Sequence, residues 1–137
     1  IKIKDMYLNQ VFVSKAIALQ LKNALMALGC PTENRVLILS PKDQDIIQGG
    51  IIIPGQAKDE LPNKGVVILQ GHLDEEYKWY TDLIETGRIL TYGMYAGKEI
   101  EFNPEIFQKE GISIDLDKNK FTVLSVNEII YSEINNN

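Results

Sequence analysis

After Pro31 the chain breaks into short, β-branched runs. They read RVLILS (35–40), GVVILQG (65–71), GRILTYG (87–93), KEIEF (98–102), ISIDL (112–116), FTVLSV (121–126) and EIIYSEI (128–134). Each is too short for a stable helix, and Gly, Pro, Asn or Asp separates it from the next, which is the signature of strands joined by turns. Within 137 residues this many short strands fits one mainly β domain, a small barrel or sandwich. DLDKNKF (115–121) reads as a hairpin with its turn at Asp117 to Asn119.

The segment before Pro31 has a different period. Ile17, Leu21, Ala24, Leu25 and Leu28 fall on one face of a helix. Ser14 is placed to cap its start, Gly29 to end it, and Pro31 forbids continuation. Only Lys15 and Lys22 would make its polar face basic, so it is expected to pack on the domain rather than on a membrane. The expected organisation is an N-terminal extension with an amphipathic helix (1–32) followed by the β domain (33–137). A further short amphipathic helix is expected within 72–86, where Leu73, Tyr77, Tyr80 and Ile84 share a spacing.

Several chemistries are disfavoured. The formal net charge of −5 opposes nucleic acid and anionic membranes as partners. No apolar run approaches the roughly 18 residues that span a bilayer, and the first residues lack a signal-peptide layout. A single cysteine, Cys30, cannot form an internal disulfide, and with His72, the only histidine, it cannot complete a zinc site. His72 lies beside no obvious nucleophile. Asp115, Asp117 and Asn119 mimic the start of a calcium loop, but Lys120 stands where a glycine is needed and Val126 where a glutamate is needed. No catalytic residue and no metal ligand is expected, which leaves binding.

The segment 41–64 is the candidate binding element. It sets the apolar triplet Ile51, Ile52 and Ile53 behind Gly49 and Gly50, with polar sequence on both sides. One reading is a buried strand of three residues. The other is a tethered hydrophobic ligand for a groove on a partner. Burying three isoleucines contributes about 4.5–9 kcal/mol, while ordering about eight loop residues costs about 8–16 kcal/mol. One such loop binds weakly, so the ligand reading favours an oligomer that presents many copies at once.

The order of these pieces resembles the GroES-type co-chaperonins. ENRVLILSP is similar to that family's first strand, and GGIIIPGQAKDELPNKGVVILQG to its mobile loop and second strand. TGRILTYGMYAGKEIEF resembles the turn, strand and "YGG" segment, with Tyr95-Ala96-Gly97 in the last place. DKNKFTVLSVNEIIYSE resembles the closing hairpin and final strand. The resemblance spans roughly residues 33 to 134. It implies a GroES-like irregular antiparallel β-barrel, here with an extra N-terminal helix. It implies a non-enzymatic co-chaperonin that caps a chaperonin ring and assists ATP-dependent protein folding, and that assembles as a homoheptamer.

Carried onto this chain, the resemblance makes 41–64 a mobile loop. Gly49, Gly50, Ile51, Ile52 and Ile53 become the element that docks on the apical domains of a GroEL-type chaperonin. Subunit contacts are expected near Val36, Leu37, Ile38 and Leu39 and near Ile129, Ile130 and Tyr131. Nucleotide and Mg would be bound by the chaperonin, and no cofactor by this chain. The unfolded substrate protein would be enclosed without a dedicated site, in the cytoplasm of a bacterium or of a phage-infected host. Three features depart from the family pattern: residues 1–32, the segment 72–86 in place of a roof hairpin, and the insertion 103–113. Gly87-Arg88 also replaces the usual Gly-Asp. The alternative expectation is a structural or adaptor protein of a larger assembly, with the isoleucine triplet as a buried strand.

Overall fold

The computed structural model describes residues 12–42, 46–48, 51–53, 63–93 and 95–137, with 46–48 and 51–53 described by their backbone. Helix α1 (Lys15–Met26) is followed by strands β1 (Arg35–Pro41), β2 (Ile46–Gln48), β3 (Ile51–Ile53) and β4 (Asn63–Gln70). A 3₁₀ helix (Glu75–Ile84) leads to β5 (Ile89–Tyr92) and β6 (Lys98–Ile100). The short helix α2 (Glu105–Lys109) precedes β7 (Asn119–Ser125) and β8 (Ile129–Glu133).

Six strands form one antiparallel sheet in the order β6-β7-β1-β4-β5-β8. β1 holds the centre because its run of buried apolar residues suits a strand covered on both faces. Alternation sends Val36 and Ile38 to one face and Leu37 and Leu39 to the other. A bulge in β4 pairs Leu37 with Leu69 but Ile38 with Val67. The residue skipped, Ile68, therefore joins Leu69 on one face.

The chain thus has two apolar cores, one on each side of the sheet. On one side the sheet curls over Val36, Ile38, Val67, Leu90, Tyr92 and Leu124, the 3₁₀ helix adds Ile84, and Leu73 joins from the segment just before that helix. On the other, α1 lies mainly across β4 and buries Ala18, Leu21 and Leu25 against Leu37, Leu39 and Ile68. Phe107 of α2 stacks on Phe121 of β7 at 5.6 Å, and Phe102 meets Phe121 edge-on at 5.0 Å.

The helix expected before Pro31 is present. The Ser14 hydroxyl accepts a hydrogen bond from the Ile17 amide at 3.3 Å. The helix ends earlier than its periodicity suggests, at Met26, so Leu28 falls beyond it and is 62 % exposed. The segment 72–86 does form a helix, of the tighter 3₁₀ kind.

ISIDL (112–116) does not form the strand expected of it. Its alternation is real: Ile112, Ile114 and Leu116 all turn toward the core that α1 covers. It cannot pair with β7, the strand that follows it, because β6 and β1 occupy the two sides of β7. The turn after it lies at 116–118, one residue before the 117–119 expected; since no strand precedes it and Asn119 already opens β7, the hairpin expected over 115–121 does not form. The Asp115 carboxylate accepts from the Asp117 amide at 3.0 Å and the Asp115 carbonyl from the Asn119 side chain at 3.0 Å, which spends these groups on the turn.

Thr122 presents one defect. Its hydroxyl is buried and has no hydrogen-bond partner among the described residues. Thr122→Val keeps the shape and removes the unpaired group, and is expected to stabilise the fold by about 1 kcal/mol. A thermal melt checks this: the midpoint should rise by a few degrees.

Candidate functional site

β2 and β3 form a two-stranded ladder of their own, with Ile46 opposite Ile53, Ile47 opposite Ile52 and Gln48 opposite Ile51. Two residues, Gly49 and Gly50, separate the paired strands in the sequence. Gly-Gly is a preferred pair for a two-residue hairpin connection, because both positions tolerate positive φ. These glycines, and the mobility expected of 41–64, lie outside the described residues. The chain leaves the sheet at the end of β1 and returns at the start of β4, two strands that are themselves paired. Among the described residues no ladder joins the hairpin to the six-stranded sheet, so the triplet is not one of its strands. The sequence reading missed β2. Its signal was the Ile46-Ile47 pair, placed symmetrically with Ile52-Ile53 about the two glycines.

The residues expected at subunit contacts separate into two environments. Val36, Leu37, Ile38 and Leu39 are buried at the centre of the sheet, hydrogen-bonded to β4 on one side and β7 on the other. Their backbone edges are used within the chain, so a neighbouring subunit cannot pair with them directly. Ile129, Ile130 and Tyr131 lie on β8, at the margin of the sheet, where among the described residues only β5 pairs with it. Ile129 turns inward to the core that holds Val36 and Ile84, whereas Ile130 and Tyr131 are 67 % and 59 % exposed and Ile134 just beyond is 70 % exposed. An apolar edge with one side unpaired is a surface that seeks a partner strand.

Two polar clusters hold this margin and the 3₁₀ helix in place. Arg88 donates from Nε to the Ser132 hydroxyl at 2.8 Å and from Nη2 to the Ser132 carbonyl at 3.1 Å, clamping β8 to the turn at Gly87. This gives the arginine that departs from the family's Gly-Asp turn a local role. Asn34 sits at φ 61, a conformation that asparagine tolerates better than most residues. Its side chain donates to the Asp74 carboxylate at 2.8 Å and accepts from the Asp74 amide at 2.9 Å. Its backbone meets His72 and Val126. Sequence reasoning singled out neither Arg88 nor Asn34 for these bonds, since each partner is distant in the chain.

His72 is exposed and sits next to this anchor. Cys30 is also exposed. Among the described residues no group of three or more His, Cys, Asp and Glu is arranged to hold a metal ion, and no helix among them is long and apolar enough to cross a membrane.

A small antiparallel sheet, an apolar hairpin set apart from it and an exposed apolar margin define a protein of the co-chaperonin class. Residues 30–132 match the Chaperonin 10 Kd subunit family, and the chain belongs to that family. Curated relatives agree. The co-chaperonin GroES of Solidesulfovibrio magneticus is 39% identical over 79 residues, covering 56% of this chain and 81% of the relative. That of Bacteroides fragilis is 44% identical over 73 residues, covering 52% and 74%. That of Thermotoga petrophila is 37% identical over 75 residues, covering 55% and 77%. The function of the chain is that of a co-chaperonin, and the family is not one of enzymes. The alternative of an adaptor with a buried isoleucine strand is not favoured.

Proposed function

We propose that this co-chaperonin forms a closed homo-oligomeric ring, seven-membered as in the family it belongs to, and that the ring caps a GroEL-type chaperonin through the β2–β3 hairpin. The observation that carries the docking reading is the separation of that hairpin from the six-stranded sheet. Gly49 and Gly50 would form its turn and Ile51, Ile52 and Ile53 its docking strand on the apical domain. Nucleotide and Mg²⁺ act on the chaperonin, this chain binds no cofactor of its own, and the setting is the cytoplasm. Substrate protein is enclosed beneath the ring without a dedicated site on the chain.

The margins of the sheet support a head-to-tail contact. β8 presents Ile130, Tyr131 and Ile134 at one margin. At the opposite margin, beside β6, an apolar groove of about 240 Å³ is lined by Leu28, Cys30, Pro31, Ile100 and Phe102, among others. Different surfaces meeting in this way generate a ring when the rotation closes. Val36–Leu39 would support the contact from beneath rather than touch the neighbour.

Sedimentation and native mass measurement test the ring, and co-migration with a chaperonin in the presence of ADP tests the docking. A discrete oligomer that co-migrates is the expected result. A monomer at micromolar concentration that never co-migrates with a bacterial chaperonin would overturn the reading.

A further inference from the structure

A cleft of about 650 Å³ lies between α1 and the 3₁₀ helix, with the end of β4 as its floor. Both walls belong to segments that depart from the family pattern. Its volume falls in the range of small-molecule sites, about 300–1,000 Å³. The charge of its lining is opposite in sign to that of the chain. Lys15, Lys22 and Lys78 face it against one carboxylate, Glu85, in a protein of net charge −5.

The floor is ordered. Gln70 donates from Nε2 to the Ile84 carbonyl at 2.6 Å and to the Thr86 hydroxyl at 3.1 Å, and its Oε1 accepts from Lys22 Nζ at 3.4 Å. Thr86 in turn donates to the Ile68 carbonyl at 3.0 Å. These neutral groups are satisfied by one another, and they hold Lys22 at the cleft. Among the described residues neither Lys15 nor Lys22 has a carboxylate within 4.0 Å, whereas Lys78 pairs only with Glu75, which is 91% exposed. An exposed pair of that kind is weak and readily exchanged. The stem of Lys15 packs over Gly87, which fixes where its ammonium group emerges. Leu19, Leu73 and Ile84 add an apolar side.

We propose that this cleft is a binding site for a small phosphorylated molecule, with Lys15, Lys22 and Lys78 on the phosphate groups and the apolar side against its organic part. Lysines are point-charge ligands for phosphate. Three of them converging without matching carboxylates suit a group that carries more than one negative charge. A ligand seated there would tie α1 to the 3₁₀ helix and raise the stability of both by mass action. The cleft shares no lining residue with the hairpin or with the two margins proposed for the ring contact.

Equilibrium dialysis of the full chain against labelled inorganic pyrophosphate tests it. The expected result is saturable binding of one pyrophosphate per chain that weakens as salt is raised. It should weaken about tenfold or more in Lys15→Gln/Lys22→Gln and by a smaller factor in Lys78→Gln, while Lys109→Gln on α2 leaves it unchanged. Circular dichroism confirms that each variant is folded; should the double variant unfold, Lys78→Gln alone decides. No saturable binding up to millimolar pyrophosphate would overturn the proposal. So would equal affinity in the folded lysine variants, or tighter binding of a hexaglutamate peptide than of pyrophosphate, which would mark an acidic-peptide site instead.

Discussion

Ile52→Asp is expected to abolish capping of the chaperonin while leaving the ring intact. Losing one buried isoleucine side chain removes about 1.5–3 kcal/mol per docking site, and forcing a carboxylate into an apolar groove adds a desolvation cost. In the proposed ring the subunits would dock together, so these losses would multiply across copies. The overall weakening should exceed about a hundredfold. Co-sedimentation with chaperonin and ADP measures the loss, and native mass measurement confirms the ring. If the variant instead unfolds, the triplet is part of the core and the docking role falls.

Gly71→Ala should cost about 3 kcal/mol or more, or prevent folding. The obstacle is space. A Cβ at position 71 would overlap the Thr32 carbonyl oxygen and lie 2.8 Å from that of Pro31. Both are backbone atoms of the segment that enters β1, and the Gly71 amide donates to the Arg35 carbonyl at 2.8 Å in the same corner. Backbone cannot yield as a flexible side chain does. Gly93→Ala serves as the control, since none of the described residues beyond its chain neighbours lies within 4 Å of its added Cβ, and it should stay within about 0.5 kcal/mol of the parent. Urea denaturation of the three proteins gives the comparison. Equal midpoints would show that the chain entering β1 is free to shift.

Much of the sheet was legible because its strands carry their own pattern. β1, β4, β7 and β8 lie in β-branched runs bounded by turn residues, and Ser14 marked the start of α1 by its chemistry alone. What could not be read depended on competition for partners. ISIDL has the alternation of a strand, yet β6, with three residues, is the one paired to β7. The continuous apolar run of β1 suits burial on both faces, but nothing local tells Val36 and Leu37 that a helix will cover one side and a curled sheet the other. Of the docking site, the glycine pair and the triplet were evident as composition. The partner strand at Ile46–Gln48 was not, because three residues among polar neighbours carry too little pattern to stand out.

α1 and the stretch around α2 arrive from opposite ends of the sequence and roof the same apolar floor. Their fates are therefore joined. Trimming the chain back to the span it shares with its shorter relatives would not recover a minimal lid. It would strip Leu37, Leu39 and Ile68 of their cover and leave the kind of broad greasy surface that drives aggregation. Both segments are built into the molecule rather than hung upon it.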